Sequence, residues 1–281
     1  MTGDARLMLS YISSKVLGVA LMLLNLLAPA EVRVHKDVSY AAGGQQLADV
    51  YQPNTAGPHP VVVFLYGGGW RSGSKKAVAF LGAALARQGI VTVIPEYRHF
   101  PNGSLSDILT DNAAAVAWTI AHAETFGGDP KRVVVAGHSS GAWAAAMLGL
   151  DGTWLEHAGS SPAALAGVIG LSGPYTVSSL TETVDEEVFA GSDPTLQPIN
   201  HAAGPHPAML LLTGANDQDV RPSGTIALAD RLKAAGNDPE MHIYPGLGHG
   251  GTLLSIGLPF ARRAPVIADI KHFVEGVHAA L

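Results

Sequence analysis

The chain has 281 residues, 47% hydrophobic and 14% charged, with a formal net charge of −6 and no cysteine. That length and apolar content suit one large domain with a substantial core. The acidic balance, with no block of basic residues, argues against nucleic acid as a partner; the missing cysteines exclude disulfides, thiolate metal sites and a cysteine nucleophile.

Residues 1–30 read as an apolar N-terminal helix. Arg6 and Lys15 precede an apolar run from Val16 to Ala28, and Ala28-Pro29-Ala30 resembles a small-residue cleavage site. The pattern fits a signal peptide, which would export the chain, or a membrane-associated segment over residues 7–30, or a helix packed on the domain. At about 13 residues the run is short for a transmembrane span. From residue 31 the pattern changes. Val32, Val34 and Val38 alternate with polar residues, and Leu47 to Tyr51 follows Gly43-Gly44, which predicts an antiparallel hairpin at a sheet edge.

Pro60 to Tyr66 is a β-branched apolar run that ends in Gly67-Gly68-Gly69-Trp70. A helix is expected over Ala77 to Gln88, a strand over Ile90 to Ile94, and a long helix over Ser106 to Phe126 with Asp107 in its first turn. Val133-Val134-Val135 then leads into Gly137-His138-Ser139-Ser140-Gly141 and an Ala/Leu/Met-rich helical segment. Further strands are expected over Ala166 to Leu171, Met209 to Thr213 and Met241 to Tyr244. Helices are expected over Ser223 to Ala235 and Pro265 to Leu281. Buried strands alternating with helices predict a doubly wound, mostly parallel α/β sheet covered on both faces. Residues 176–206 break this rhythm, with Glu182, Asp185, Glu186 and Glu187 among scattered Pro and Gly. They read as a small lid insertion.

The chemistry is sought where a strand ends, because functional groups collect at the carboxyl ends of parallel strands. Gly137-His138-Ser139-Ser140-Gly141 is a G-x-S-x-G turn between strand and helix. Such a turn lifts its central serine above the sheet, and small neighbours let strand and helix approach each other. Ser139 is the candidate nucleophile. His138, in the same turn, is expected to point away into packing. A serine hydroxyl needs a base, and the base needs an orienting acid. His249, between Gly248 and Gly250 after the last strand, is the candidate base. Asp217 and Asp219 compete as the acid; Asp217 is preferred because Asp219 lies nearer the next helix, whose N-terminus it would serve. The oxyanion donors are expected from the amides of Gly68, Gly69 and Ser140, with Gly67 supporting the loop. The twelve histidines show no H-E-x-x-H pair, so neither a metal nor a cofactor is expected.

These pieces resemble the α/β-hydrolase superfamily, and within it the esterase/lipase group marked by an H-G-G-G segment. The branch most similar is the bacterial carboxylesterase one that includes isoprenylcysteine methylesterase-like proteins. The matching segments are Asp49-Val50-Tyr51, Tyr66-Gly67-Gly68-Gly69-Trp70, Pro95-Glu96-Tyr97-Arg98, Gly127-Gly128-Asp129-Pro130, the Ser139 turn, Gly214-Ala215-Asn216-Asp217 with Val220, and Gly248-His249. The resemblance implies a cofactor-independent Ser139–Asp217–His249 triad hydrolysing small esters; short to medium acyl chains are expected because the sequence shows no large cap domain. It also implies that Tyr66, where the group usually has histidine, braces the oxyanion loop by its hydroxyl or its ring, with Trp70 beside it. A formamidase using the same triad and a non-catalytic ligand-binding member are the alternatives.

Overall fold

The computed structural model describes residues 17–27, 32–42, 46–180, 184–189, 193 and 195–279. Within them the chain builds one eight-stranded sheet in the order β1-β2-β4-β3-β5-β6-β7-β8. The strands are β1 (Arg33–Ser39), β2 (Leu47–Gln52), β3 (His59–Leu65), β4 (Val91–Pro95), β5 (Gly128–His138), β6 (Gly167–Leu171), β7 (Ala208–Gly214) and β8 (Glu240–Tyr244). β1 and β2 form the expected antiparallel edge, and β2 is antiparallel to β4; every pairing from β4 across to β8 is parallel.

The central strands are apolar at consecutive positions because they are covered on both faces. β3, β4 and β6 are buried along their whole length. The covering helices among the described residues are α1 (residues 17–26), α2 (Ala79–Arg87), α3 (Leu105–His122), α4 (Ser140–Leu150), α5 (Gly152–His157), α6 (Val184–Phe189), α7 (Pro222–Ala234), α8 (Gly251–Leu254) and α9 (Val266–Gly276). α4 is buried at every residue, which accounts for an Ala/Leu/Met helix with no polar side. α3 starts at a capping box in which Ser104 and Asp107 satisfy each other's backbone donors. It ends as a 3₁₀ turn, Ala123–Phe126, stopped by Gly127 in the left-handed region. α9 is shorter than expected. Beyond Gly276 the backbone turns extended, and the Ala279 N–H donates to the Lys131 carbonyl at 2.9 Å.

From β3 the chain crosses to β4 on one side and returns to β5 on the other. The order reverses there, and a crevice opens outside the carboxyl ends of β3 and β5. The Gly67-Gly68-Gly69 loop and Ser139 both begin at those ends. In the irregular region, 3₁₀ turns at Val177–Ser179 and Pro198–His201 flank α6. Leu180 bridges to Val220 and the Arg221 N–H donates to the Ser179 carbonyl, which ties this region to the loop bearing Asp217. Residues 7–16, the Ala28-Pro29-Ala30 segment, Gly43-Gly44 and Glu182 lie outside the described residues. Among those described, no helix is long and apolar enough to cross a membrane.

Candidate active site

Ser139 sits between β5 and α4 with φ 56° and ψ −125°. This is a strained backbone for a residue with a side chain, held by the packed elements on either side. A Cβ on Gly137 would run into the Gly141 carbonyl, and one on Gly141 into the Leu65 carbonyl. Both glycines of the motif are therefore dictated by backbone approach. The strain presents the Ser139 hydroxyl to His249, whose Nε2 lies 2.8 Å from Oγ.

His249 arrives on the loop after β8, and its Nδ1 lies 2.9 Å from Oδ2 of Asp217. A carboxylate only accepts, so Nδ1 carries the proton and the Nε2 lone pair faces the serine hydroxyl. Burial pulls the His249 pKa down, but the hydrogen bond and charge of Asp217, with the charge of Asp219, lift it above the usual histidine value. The Asp217 side chain is fully buried, and its Oδ1 accepts the N–H groups of Asp219 at 3.0 Å and Val220 at 2.8 Å. One carboxylate thus both closes a local turn and partners the histidine. Asp219 is exposed, and Arg221, the N-cap residue of α7, makes no side-chain cap.

His138 points away from Ser139, as expected, yet it is not remote from the site. It is buried, its Nε2 donates to the His249 carbonyl at 3.0 Å, and the two rings lie 4.9 Å apart. Burial and the neighbouring His249 charge push its pKa down to about 3. It stays neutral and fixes the backbone that carries the base.

In the glycine loop the Gly68 N–H donates to the Ser140 hydroxyl at 3.1 Å. Ser140 is the serine that follows the nucleophile, and its hydroxyl reaches back across the turn. Gly69 has φ 60°, and Ser140 opens α4, where backbone N–H groups lack intrahelical acceptors.

Tyr66 is buried, and both its hydroxyl and its ring are engaged by the segment after β4. Its hydroxyl donates to Glu96 Oε2 at 2.6 Å, and its ring stacks on Tyr97 at 4.5 Å. Glu96 Oε1 accepts the Lys75 N–H at 3.2 Å, and the Tyr97 hydroxyl donates to the Tyr66 carbonyl. His99 Nε2 lies 3.2 Å from the Tyr66 hydroxyl. Glu96, Tyr97 and His99 have no role in the sequence reading of the site, although Glu96 directly follows β4 and strand-end position was the available signal. Trp70 packs edge-on to Trp143 and to Phe189 of α6, and Arg71 pairs with Glu187 at 2.5 Å. Among the described residues no cluster of His, Asp and Glu could hold a metal ion.

Residues 48–232 match the BD-FAE family model; that span includes Ser139 and Asp217 and stops short of His249. The chain is 30% identical over 241 residues to isoprenylcysteine alpha-carbonyl methylesterase ICME of Arabidopsis thaliana, covering 77% of this chain and 56% of that one. It is 27% identical over 268 residues to esterase LipC of Mycobacterium tuberculosis, covering 86% and 64%. It therefore spans less than two thirds of the length of these relatives. Among solved structures it is similar to esterase B from Lactobacillus rhamnosis, with a TM-score of 0.78, 19% identity and coverage of 97% and 96%. That likeness is one of fold. The extent of the family match and the order of the sheet lead to one assignment: the chain belongs to the BD-FAE family and has the α/β-hydrolase fold.

Proposed function

We propose that the protein is a serine esterase that hydrolyses small carboxylic esters of short to medium acyl length through an acyl-enzyme. The observation that carries this reading is the unbroken relay from Asp217 through His249 to Ser139, with hydrogen-bonding distances of 2.9 and 2.8 Å. Ser139 Oγ attacks the ester carbonyl as its proton passes to His249 Nε2. Asp217 holds the Nδ1–H tautomer and stabilises the imidazolium. The amides of Gly69 and Ser140 receive the developing oxyanion, and the Gly68 amide joins them when the Ser140 hydroxyl turns away. His249 then protonates the leaving alcohol. Water, activated by the same histidine, releases the acid. The names of the relatives, a methylesterase and an esterase, agree with the proposal. The contacts of Phe189 with Trp70 and of Glu187 with Arg71 support reading residues 176–206 as a lid over the oxyanion loop.

The test is hydrolysis of p-nitrophenyl esters from acetate to decanoate. Ser139→Ala is expected to abolish turnover, Asp217→Asn to lower kcat by about 10⁴-fold, and Asp219→Asn to leave most of it. Turnover that persists in Ser139→Ala would sink the mechanism, and the chain-length profile sizes the acyl site.

A further inference from the structure

The N-terminal helix carries apolar residues on two opposite faces, and only one of them is used by the fold. Leu24 is buried against Phe80 and Gly257, and Leu17 lies against Gly250, the residue after His249. Asn25, the one polar residue among 17–27, turns inward. Its Nδ2 donates to the carbonyls of Lys76 at 3.1 Å and Ala77 at 3.0 Å, and its Oδ1 accepts the Phe80 N–H at 2.8 Å. The outer face is Val19, Met22, Leu23, Leu26 and Leu27, spaced as one side of a helix, with Met22 64% and Leu26 72% exposed. Leu258, 65% exposed, directly follows Gly257 in the loop that receives Leu24.

We infer that this face docks on a lipid surface, lying in the interface of an anionic bilayer rather than crossing it. Size argues against a second copy of the chain. A helix over residues 17–27 is about 16 Å long and roughly 10 Å wide, so its outer side offers roughly 160 Å². A stable protein interface takes about 800 Å² from each partner. A bilayer needs no such area, because apolar side chains inserted about 5–10 Å below the headgroups suffice together with cationic contacts. The cations are in place. Lys76 is exposed beside Asn25, and Arg262 and Arg263 are exposed just after Leu258. Between Ala5 and Ala30 the sequence has Arg6 and Lys15 and no acidic residue, in a chain of net charge −6. Negative headgroups would draw this corner of an otherwise acidic protein toward the membrane.

Flotation of the full chain with vesicles tests the assignment, using phosphatidylcholine alone and phosphatidylcholine mixed with phosphatidylglycerol. The wild type is expected to float with the anionic vesicles and less with the neutral ones. Met22→Glu with Leu26→Glu should reduce flotation by about tenfold or more, with the melting temperature and hydrolysis of soluble p-nitrophenyl acetate unchanged. Arg262→Gln with Arg263→Gln should remove the preference for anionic lipid. A wild type that stays unbound with both vesicles would overturn the inference. So would double-Glu variants that float like wild type, or a lipid-free dimer that Leu26→Glu splits, which would assign the face to a second copy. Binding is read without turnover, so its failure is distinct from failure of the esterase reading.

Discussion

His249 lies between two opposing influences, burial and a pair of carboxylates, and the carboxylates prevail. A raised pKa keeps a base protonated to higher pH, so turnover should fall on the acid side as pH drops through that value. Asp219→Asn removes one of the charges that lift it. The acid limb of the kcat/KM profile should then move to lower pH, with the shift shrinking in high salt because Asp219 is exposed. An acid limb unchanged in Asp219→Asn would mean that its charge does not reach His249. His138 acts in the opposite sense. Its folded pKa of about 3 lies below that of the unfolded chain, so between about pH 6.5 and 3 the unfolded state binds a proton that the folded state refuses. Stability should decline over that window as pH falls, by up to about 1.4 kcal/mol per pH unit from this residue. In His138→Gln, whose amide can still donate to the His249 carbonyl, urea denaturation at pH 7 and pH 5 should show a smaller difference than in wild type.

At the scale of elements, the oxyanion loop is held from below by an ion pair at the sheet edge. Lys75 ends that loop, is almost fully buried, and pairs with Asp49 of β2 and with Asp37 of β1, the latter at 2.6 Å. The Asp37 N–H donates to Asp49 at 2.9 Å. Lys75→Met would leave the Asp49 carboxylate buried without its cation. The expected cost is about 3–5 kcal/mol, read as a lower denaturant midpoint, and Asp49→Asn in the same chain should recover part of it. The loop's own geometry is equally constrained. Gly68 has φ 152°, and a Cβ there would run into the Ser72 carbonyl. Gly68→Ala must displace the loop, and a fall in kcat of about 10²-fold or more is expected with little change in melting temperature.

At the scale of the molecule, every strand among the described residues lies beyond residue 32, so the sheet does not depend on α1 for its pairing. Deleting residues 1–31 should leave a folded hydrolase core, uncover Phe80 and Gly257, and forfeit the burial of Leu24. That burial is worth about 1.5–3 kcal/mol, and in a domain this large each kcal/mol moves the melting temperature by about 2–4 °C. A melting temperature unchanged by the deletion would show that α1 is not part of the folded unit.

Much of the architecture was legible because local pattern and global position coincide. Uninterrupted apolar runs such as Pro60 to Leu65 are what a strand covered on both faces requires, and Gly137 and Gly141 flank Ser139 because backbones touch there. Asp217 and His249 could be singled out by place, each just past a strand. By itself the sequence determined the alternation of strands and helices, the identity of the turn that carries Ser139 and the residues able to serve it. It did not determine which hydrogen bonds close. That the Gly68 amide meets the Ser140 hydroxyl, that His138 supports the base, and that Glu96 joins Tyr66 to Lys75 are contacts between segments about 20 to 110 residues apart. They depend on side-chain directions that only packing sets. The N-terminal helix is the same case. Its composition showed an apolar segment, and tertiary structure decided that Leu24 and Asn25 face the protein while Met22 and Leu26 face outward.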